Sequence, residues 1–286
     1  MRCPVSDINY RASHAYPKGA AINPQRKNYR DETRYAIRMV DVRKIYSNKE
    51  GLTYVALNGV SVEIAEGDFV AIMGPSGSGK TTMLDLMGTL DTPTSGRIII
   101  NGKDTSSMNG NELAELRNSV IGFVFQSYNL VPYLSALDNV MLPSLVSGSG
   151  SKEKTQQAKD MLAEVGLGEK VNKRPNELSG GEQQRVAIVR AFINNPKILL
   201  SDEPTGNLDT KSAKNVLDIL ARMCHENGTT VVLSTHDPEV GAFARRRIHI
   251  RDGLIEKEGS LAIKDISLHE ARGKGEDHVK KRGKNG

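Results

Sequence analysis

A chain of 286 residues, with Lys and Arg at 39 against 34 Asp and Glu, is long enough to bury a full core in one domain or a domain with a subdomain. Its net charge of +5 sits at the ends, since residues 1–36 and 271–286 each carry +4 and leave −3 between them, which argues against a basic nucleic-acid face on the globular part. No apolar run reaches the roughly 18–20 residues that span a bilayer, no apolar leader opens the sequence, and Cys3 and Cys224 match no metal spacing, so a soluble, cytoplasmic protein is expected.

Residues 1–36 are polar and aperiodic, and a disordered N-terminal extension is expected there. Ile37–Tyr46 alternates as a strand does, Gly59–Ile64 gives a second, and Asp68–Met73 is a third, apolar run. The glycine-rich stretch Gly74–Thr82 follows and leads into Met83–Leu90, which has helical character. Arg97–Gly102 reads as a strand ending in a turn, Asn111–Asn118 as a helix, and Val120–Phe125 as a buried strand. Ser135–Leu145 and Lys152–Val165 have helical spacing, so residues 127–175 form a helical insertion. Ser179–Ile193 is a helix opened by a capping-box spacing, Ser179 to Glu182. Lys197–Asp202 and Thr229–Ser234 are strand-forming runs around a helix at Lys211–Glu226, a βαβ unit with parallel strands. Residues 261–286 end in a basic tail, expected to be disordered.

The pattern G-x-x-x-x-G-K-[ST], here Gly74, Pro75, Ser76, Gly77, Ser78, Gly79, Lys80 and Thr81 with Thr82 after it, lies between a strand and a helix. Glycines there let backbone N–H groups converge on an anion, the helix start adds positive charge, and Lys80 reaches β- and γ-phosphates. Thr81 can offer its hydroxyl to Mg²⁺. Asp202 and Glu203 close an apolar strand with side chains pointing opposite ways, which suits Asp202 to the metal and Glu203 to the attacking water as a base. His236 follows the next strand of the βαβ unit, where it can touch a γ-phosphate or hold that water. Gln126 can give an amide oxygen to Mg²⁺. Ser179, Gly180, Gly181 and Glu182 present a hydroxyl, open N–H groups and a helix end, a second phosphate site about 100 residues from the first.

This ordered set resembles the ATP-binding subunit of ABC transporters over residues 37–260. The resemblance implies an α/β fold: a P-loop NTPase mixed-sheet core with an N-terminal antiparallel β subdomain and a helical insertion subdomain. It also implies Tyr46 as the aromatic that stacks on adenine, Gln126 as the glutamine loop, Ser179–Glu182 as the signature, Asn207–Asp209 as the dimer-contact loop and His236 as the switch histidine. The phrasing around Ile72–Lys80, Gly122–Leu130 and Ser201–Asp209 is similar to the subgroup that serves lipoprotein release, macrolide or peptide export and cell division. Glu182 stands where the family usually has Gln; it still satisfies the helix cap but brings a negative charge toward the phosphate side, which leaves room for slower or weaker engagement of ATP, with function expected to survive.

The implied activity is hydrolysis of ATP with Mg²⁺, each nucleotide held by the phosphate loop of one copy and the signature of another. A homodimer or a similar ATPase subunit is thus one partner. The other is an integral membrane permease contacted through Tyr128–Leu134, with the cassette peripheral on the inner face of the membrane. Two further classes share the chemistry: an ATPase acting on nucleic acid or the ribosome, supported only by the basic ends, and a module that drives a membrane protein without moving a substrate. Nucleic acid is not the expected partner.

Overall fold

The computed structural model describes residues 35–260 except 50, 147 and 149; the expectations for the two ends beyond them fall outside the described residues. The N-terminal part runs β1 (Tyr35–Ser47), β2 (Thr53–Ala65), β3 (Phe69–Met73), α1 (Lys80–Met87), β4 (Ser95–Ile100), β5 (Lys103–Asp104), α2 (Gly110–Val120) and β6 (Ile121–Val124). The insertion holds α3 (Ala136–Val146) and α4 (Lys152–Glu164), with short 3₁₀ turns at Gly168–Lys170 and Pro175–Glu177. Then come α5 (Gly180–Phe192), β7 (Ile198–Asp202), α6 (Thr210–Asn227), β8 (Thr230–Thr235), α7 (Pro238–Gly241), β9 (Arg246–Arg251) and β10 (Leu254–Ser260).

Two sheets result. The first is antiparallel, in the order β2-β1-β4-β5. The second has the order β10-β9-β3-β8-β7-β6, parallel from β9 to β6 with β10 antiparallel at its edge. Strands β3, β7 and β8 are almost continuously buried, as sequences covered on both faces are. One core joins the sheets around α1, with Ile37, Met39, Leu57 and Ile100 packed with Met83, Leu86 and Val232. A second joins the insertion to α5 and α6 through Val140, Leu162, Val189, Phe192 and Leu220. Because Val186, Ile188, Val189, Ala191 and Phe192 are buried in that second core, α5 fixes the Ser179 turn to the insertion rather than to the glycine-rich loop before α1.

Three local differences from the sequence reading have physical causes. Strand β2 starts at Thr53 rather than Gly59, because pairing with β1 carries an exposed stretch that apolar alternation cannot reveal: Tyr46 faces Tyr54 and Ser47 faces Thr53. Val120 closes α2 instead of opening the next strand. The β9–β10 hairpin goes unread because charged residues flank its inward Ile248 and Ile250, yet β9 adds parallel to β3 with Ile72 opposite Ile248. The βαβ unit forms as read, with Ser201 beside Leu233 and Asp202 beside Ser234.

Candidate nucleotide site

Strand β3 delivers the chain to Gly74, and Gly79 turns it into α1 with φ of +106°, a conformation that a Cβ disfavours. No side chain caps α1, so its leading N–H groups remain available to an anion. Pro75, Ser76 and Gly77 form an exposed rim, while Ser78 and Lys80 are buried beneath it. Lys80 Nζ donates to the carbonyls of Gly74 (2.9 Å) and Pro75 (3.0 Å), and the Tyr54 hydroxyl donates to that of Gly77 (2.8 Å). The Ser78 hydroxyl is buried without a partner among the described residues. An uncapped helix end, an orphaned hydroxyl and a lysine folded onto its own loop fit a phosphate chain.

At the carboxyl ends of β7 and β8 the two acids diverge. Asp202 accepts hydrogen bonds from Thr81 Oγ1 (3.1 Å to Oδ2) and from Ser234 Oγ. Glu203 turns away with φ of +43°, a strained value for a residue with a side chain, and its N–H donates to the Ser234 carbonyl (3.2 Å). Its Oε1 then lies 3.0 Å from His236 Nδ1. One turn beyond Thr81, burial and the nearby negative charges of Asp202 and Asp91 push the Asp85 carboxyl up. A cleft of about 80 Å³ opens there, lined by the apolar Leu84, Phe123, Val124, Phe125 and Leu200 together with Thr81, Asp85 and Asp202. Hydroxyl and carboxylate oxygens beside such accumulated negative charge fit Mg²⁺.

Gln126 is held elsewhere: its backbone carbonyl accepts from Asn207 Nδ2 (3.0 Å) and its side-chain amide packs on Gly206, so the contacts made here do not take it to Thr81. The Tyr46 hydroxyl donates to Asp91 (2.9 Å), whose other oxygen takes the Lys44 ammonium at 2.6 Å. That ammonium also lies 4.8 Å from the centre of the Tyr46 ring, leaving the aromatic partly exposed but fixed in orientation.

The Ser179 turn has different neighbours. Ser179 caps α5 and Glu182 returns the bond, Oε2 accepting from the Ser179 N–H at 3.0 Å. Gly180 lies against the Tyr128 hydroxyl and Gly181 against Ser212. Asp209 caps α6, accepting from the N–H groups of Lys211 and Ser212. Arg190 donates to the carbonyls of Tyr128 and Asn129, both residues with positive φ. Thus Lys80, Thr81, Asp202, Glu203 and His236 form one neighbourhood, while Ser179–Glu182, Tyr128 and Asp209 form another.

Sequence reading missed Tyr54, Lys44, Asp91, Arg190 and Lys170, and it quoted Ser234 without a role. Only Ser234 had a usable signal, a small hydroxyl at the end of an apolar strand beside an acid.

The sequence profile of the ABC transporter family matches residues 57–206. The chain belongs to the ABC transporter family. An ABC transporter ATP-binding protein of Thermotoga maritima is 51% identical over 76% of this chain and 92% of its own. A macrolide export ATP-binding/permease protein, MacB, of Syntrophobacter fumaroxidans is 48% identical over 80% of this chain, which spans only 32% of that protein. The cassette MJ0796 of Methanocaldococcus jannaschii, solved as a dimer in a post-hydrolysis state bound to ADP and Pi, superposes with a TM-score of 0.72 at 42% identity, over 79% of this chain and 99% of that one. This ABC cassette is therefore an ATP-hydrolysing enzyme with a P-loop fold. No helix among its described residues is long and apolar enough to cross a membrane.

Proposed function

We propose that this cassette is the ATP-hydrolysing subunit of an export or lipoprotein/peptide translocation complex, two copies closing head to tail over two nucleotides. The observation that carries the reading is the divergence of Asp202 and Glu203: one faces Thr81 at the head of α1, the other faces His236. Tyr46 stacks on adenine and the loop Gly74–Thr82 wraps the phosphates, Lys80 leaving its own carbonyls for the β- and γ-phosphates. Thr81 and Asp202 would hold Mg²⁺, with Gln126 as a further oxygen donor, and the cation would supply neutralisation of phosphate charge. Glu203 accepts a proton from the attacking water, and His236 holds the Glu203 carboxylate in place and contacts the γ-phosphate. Ser179, Gly180 and Gly181 of the second copy close over the same phosphate, with Asp209 beside the joint.

The separation of the two neighbourhoods within one chain supports this, as does the dimeric, ADP-bound state of MJ0796. We assign residues 37–260 to the cassette and 127–175 to its insertion. Val131 and Tyr133, exposed on that insertion, offer apolar anchors to an integral membrane permease subunit, through which the cassette sits on the inner face of the membrane. The chain spans 32% of that MacB, a protein named as both ATP-binding and permease. Purification of the tagged full chain from membranes in mild detergent tests the reading. Recovery of a stoichiometric membrane protein is expected; recovery of nucleic acid without one overturns it.

A further inference from the structure

Glu182 places a carboxylate on the turn that, in the two-copy reading on which this inference rests, meets the partner's triphosphate. A carboxylate at a helix start competes with an incoming anion for the same positive end. The structure answers that charge locally. Lys170, carried by the 3₁₀ turn Gly168–Lys170 of the insertion, reaches Glu182 Oε1 at 2.6 Å. Arg185, one turn along α5, stands 4.0 Å from the same oxygen. Glu182 Oε2 is meanwhile taken by the Ser179 N–H, so the carboxylate faces back into its own subunit. Lys173, the next lysine on that segment, is occupied by Glu177 at 2.8 Å, which leaves Lys170 as the contact from the insertion. The hydrogen bond from Lys170, then that from the Ser179 N–H, holds the Glu182 carboxyl below its usual range, so the charge to be offset is present at neutral pH.

We propose that Lys170 is a positioning residue for ATP capture: it neutralises Glu182 and turns that carboxylate away from the triphosphate, making a glutamate signature competent where an uncharged residue needs no such partner. Lys170 touches no phosphate itself; it acts through Glu182. The function of the pair is thus conditional, and the condition can be removed.

A double-mutant cycle with Lys170→Met and Glu182→Gln in the full chain reads this directly. Lys170→Met keeps the aliphatic stem and deletes the charge; it raises KM for ATP on the order of fivefold at low salt, with a smaller effect on kcat, and the penalty shrinks as salt screens the exposed carboxylate. Lys170→Arg restores KM. In the Glu182→Gln background, adding Lys170→Met leaves KM at the value of that background. An equal rise in both backgrounds overturns the proposal, because Lys170 then contacts phosphate directly. A lowered Tm with unchanged KM also overturns it, because the pair is then only a clip between insertion and α5. Ser179→Arg measured alongside separates the two levels: if it leaves hydrolysis intact, the two-copy reading fails; if it abolishes hydrolysis while Lys170→Met leaves KM untouched, only the role of Lys170 fails.

Discussion

Replacing Glu203 by Gln changes one oxygen to an amide and leaves the surrounding frame in place. The strained turn is held by backbone bonds from the Glu203 N–H to Ser234 and from the Gly206 N–H to the Glu203 carbonyl, and neither involves the side chain. The amide oxygen of Gln can still meet His236 Nδ1, 3.0 Å away in the parent. What disappears is the proton acceptor. A placed general base contributes about 10²–10⁴ in rate, or about 3–5 kcal/mol of barrier. Phosphate release by Glu203→Gln is therefore expected to fall at least about 100-fold, with ATP binding within about threefold of the parent. Steady-state phosphate assays paired with nucleotide-binding titrations measure the two quantities separately. Turnover within about threefold of the parent refutes the base assignment, and a joint loss of binding and turnover shifts the role of Glu203 to holding the turn.

Asp202→Asn removes the charge that Thr81 and Ser234 both address; it should shift the Mg²⁺ requirement upward at least about tenfold in ATPase titrations, and an unshifted requirement places the cation elsewhere. Cys224 is buried in α6 with its thiol pushed up to about 12 by desolvation, so in a Cys3→Ser background no thiol should react with a disulfide reagent at pH 8 until urea unfolds the chain. At Asp91 burial raises the carboxyl, but hydrogen bonds from Lys44, Tyr46 and the Thr92 N–H outweigh it and the net shift is downward. A lowered carboxyl stabilises the fold above its ordinary value of 3.8 and loses that contribution as pH falls through the lowered one. The Tm deficit of Asp91→Asn should accordingly be constant from about pH 7 to 5 and shrink toward about pH 3; a deficit that grows on acidification contradicts the sign.

Sequence alone located the elements whose side chains are one-sided or wholly apolar. The run Phe69–Met73 and the glycine turn after it are unambiguous because a buried parallel strand and a left-handed Gly79 leave few alternatives. The capping box at Ser179 and Glu182 was legible for another reason: its bonds close within three residues. Contacts that depend on register across the fold were not. Tyr54 reaches Gly77 only because β2 extends past its apolar segment, and Lys170 meets Glu182 only after the insertion folds back on α5. Gln126 shows the reverse limit, since the sequence places it at the junction of the sheet and the helical insertion but cannot reveal that Gly206 and Asn207 hold it there.

Mixing two inactive variants tests the shared-nucleotide account most directly. Lys80→Ala breaks the phosphate loop and leaves the Ser179 turn intact, whereas Ser179→Arg does the opposite. A heterodimer of the two contains one site built from intact halves, so ATP hydrolysis should return on mixing to a fraction of the parent rate and depend on total protein concentration. Heterodimers that form in the presence of ATP yet recover no hydrolysis at any mixing ratio would contradict a site assembled from two copies.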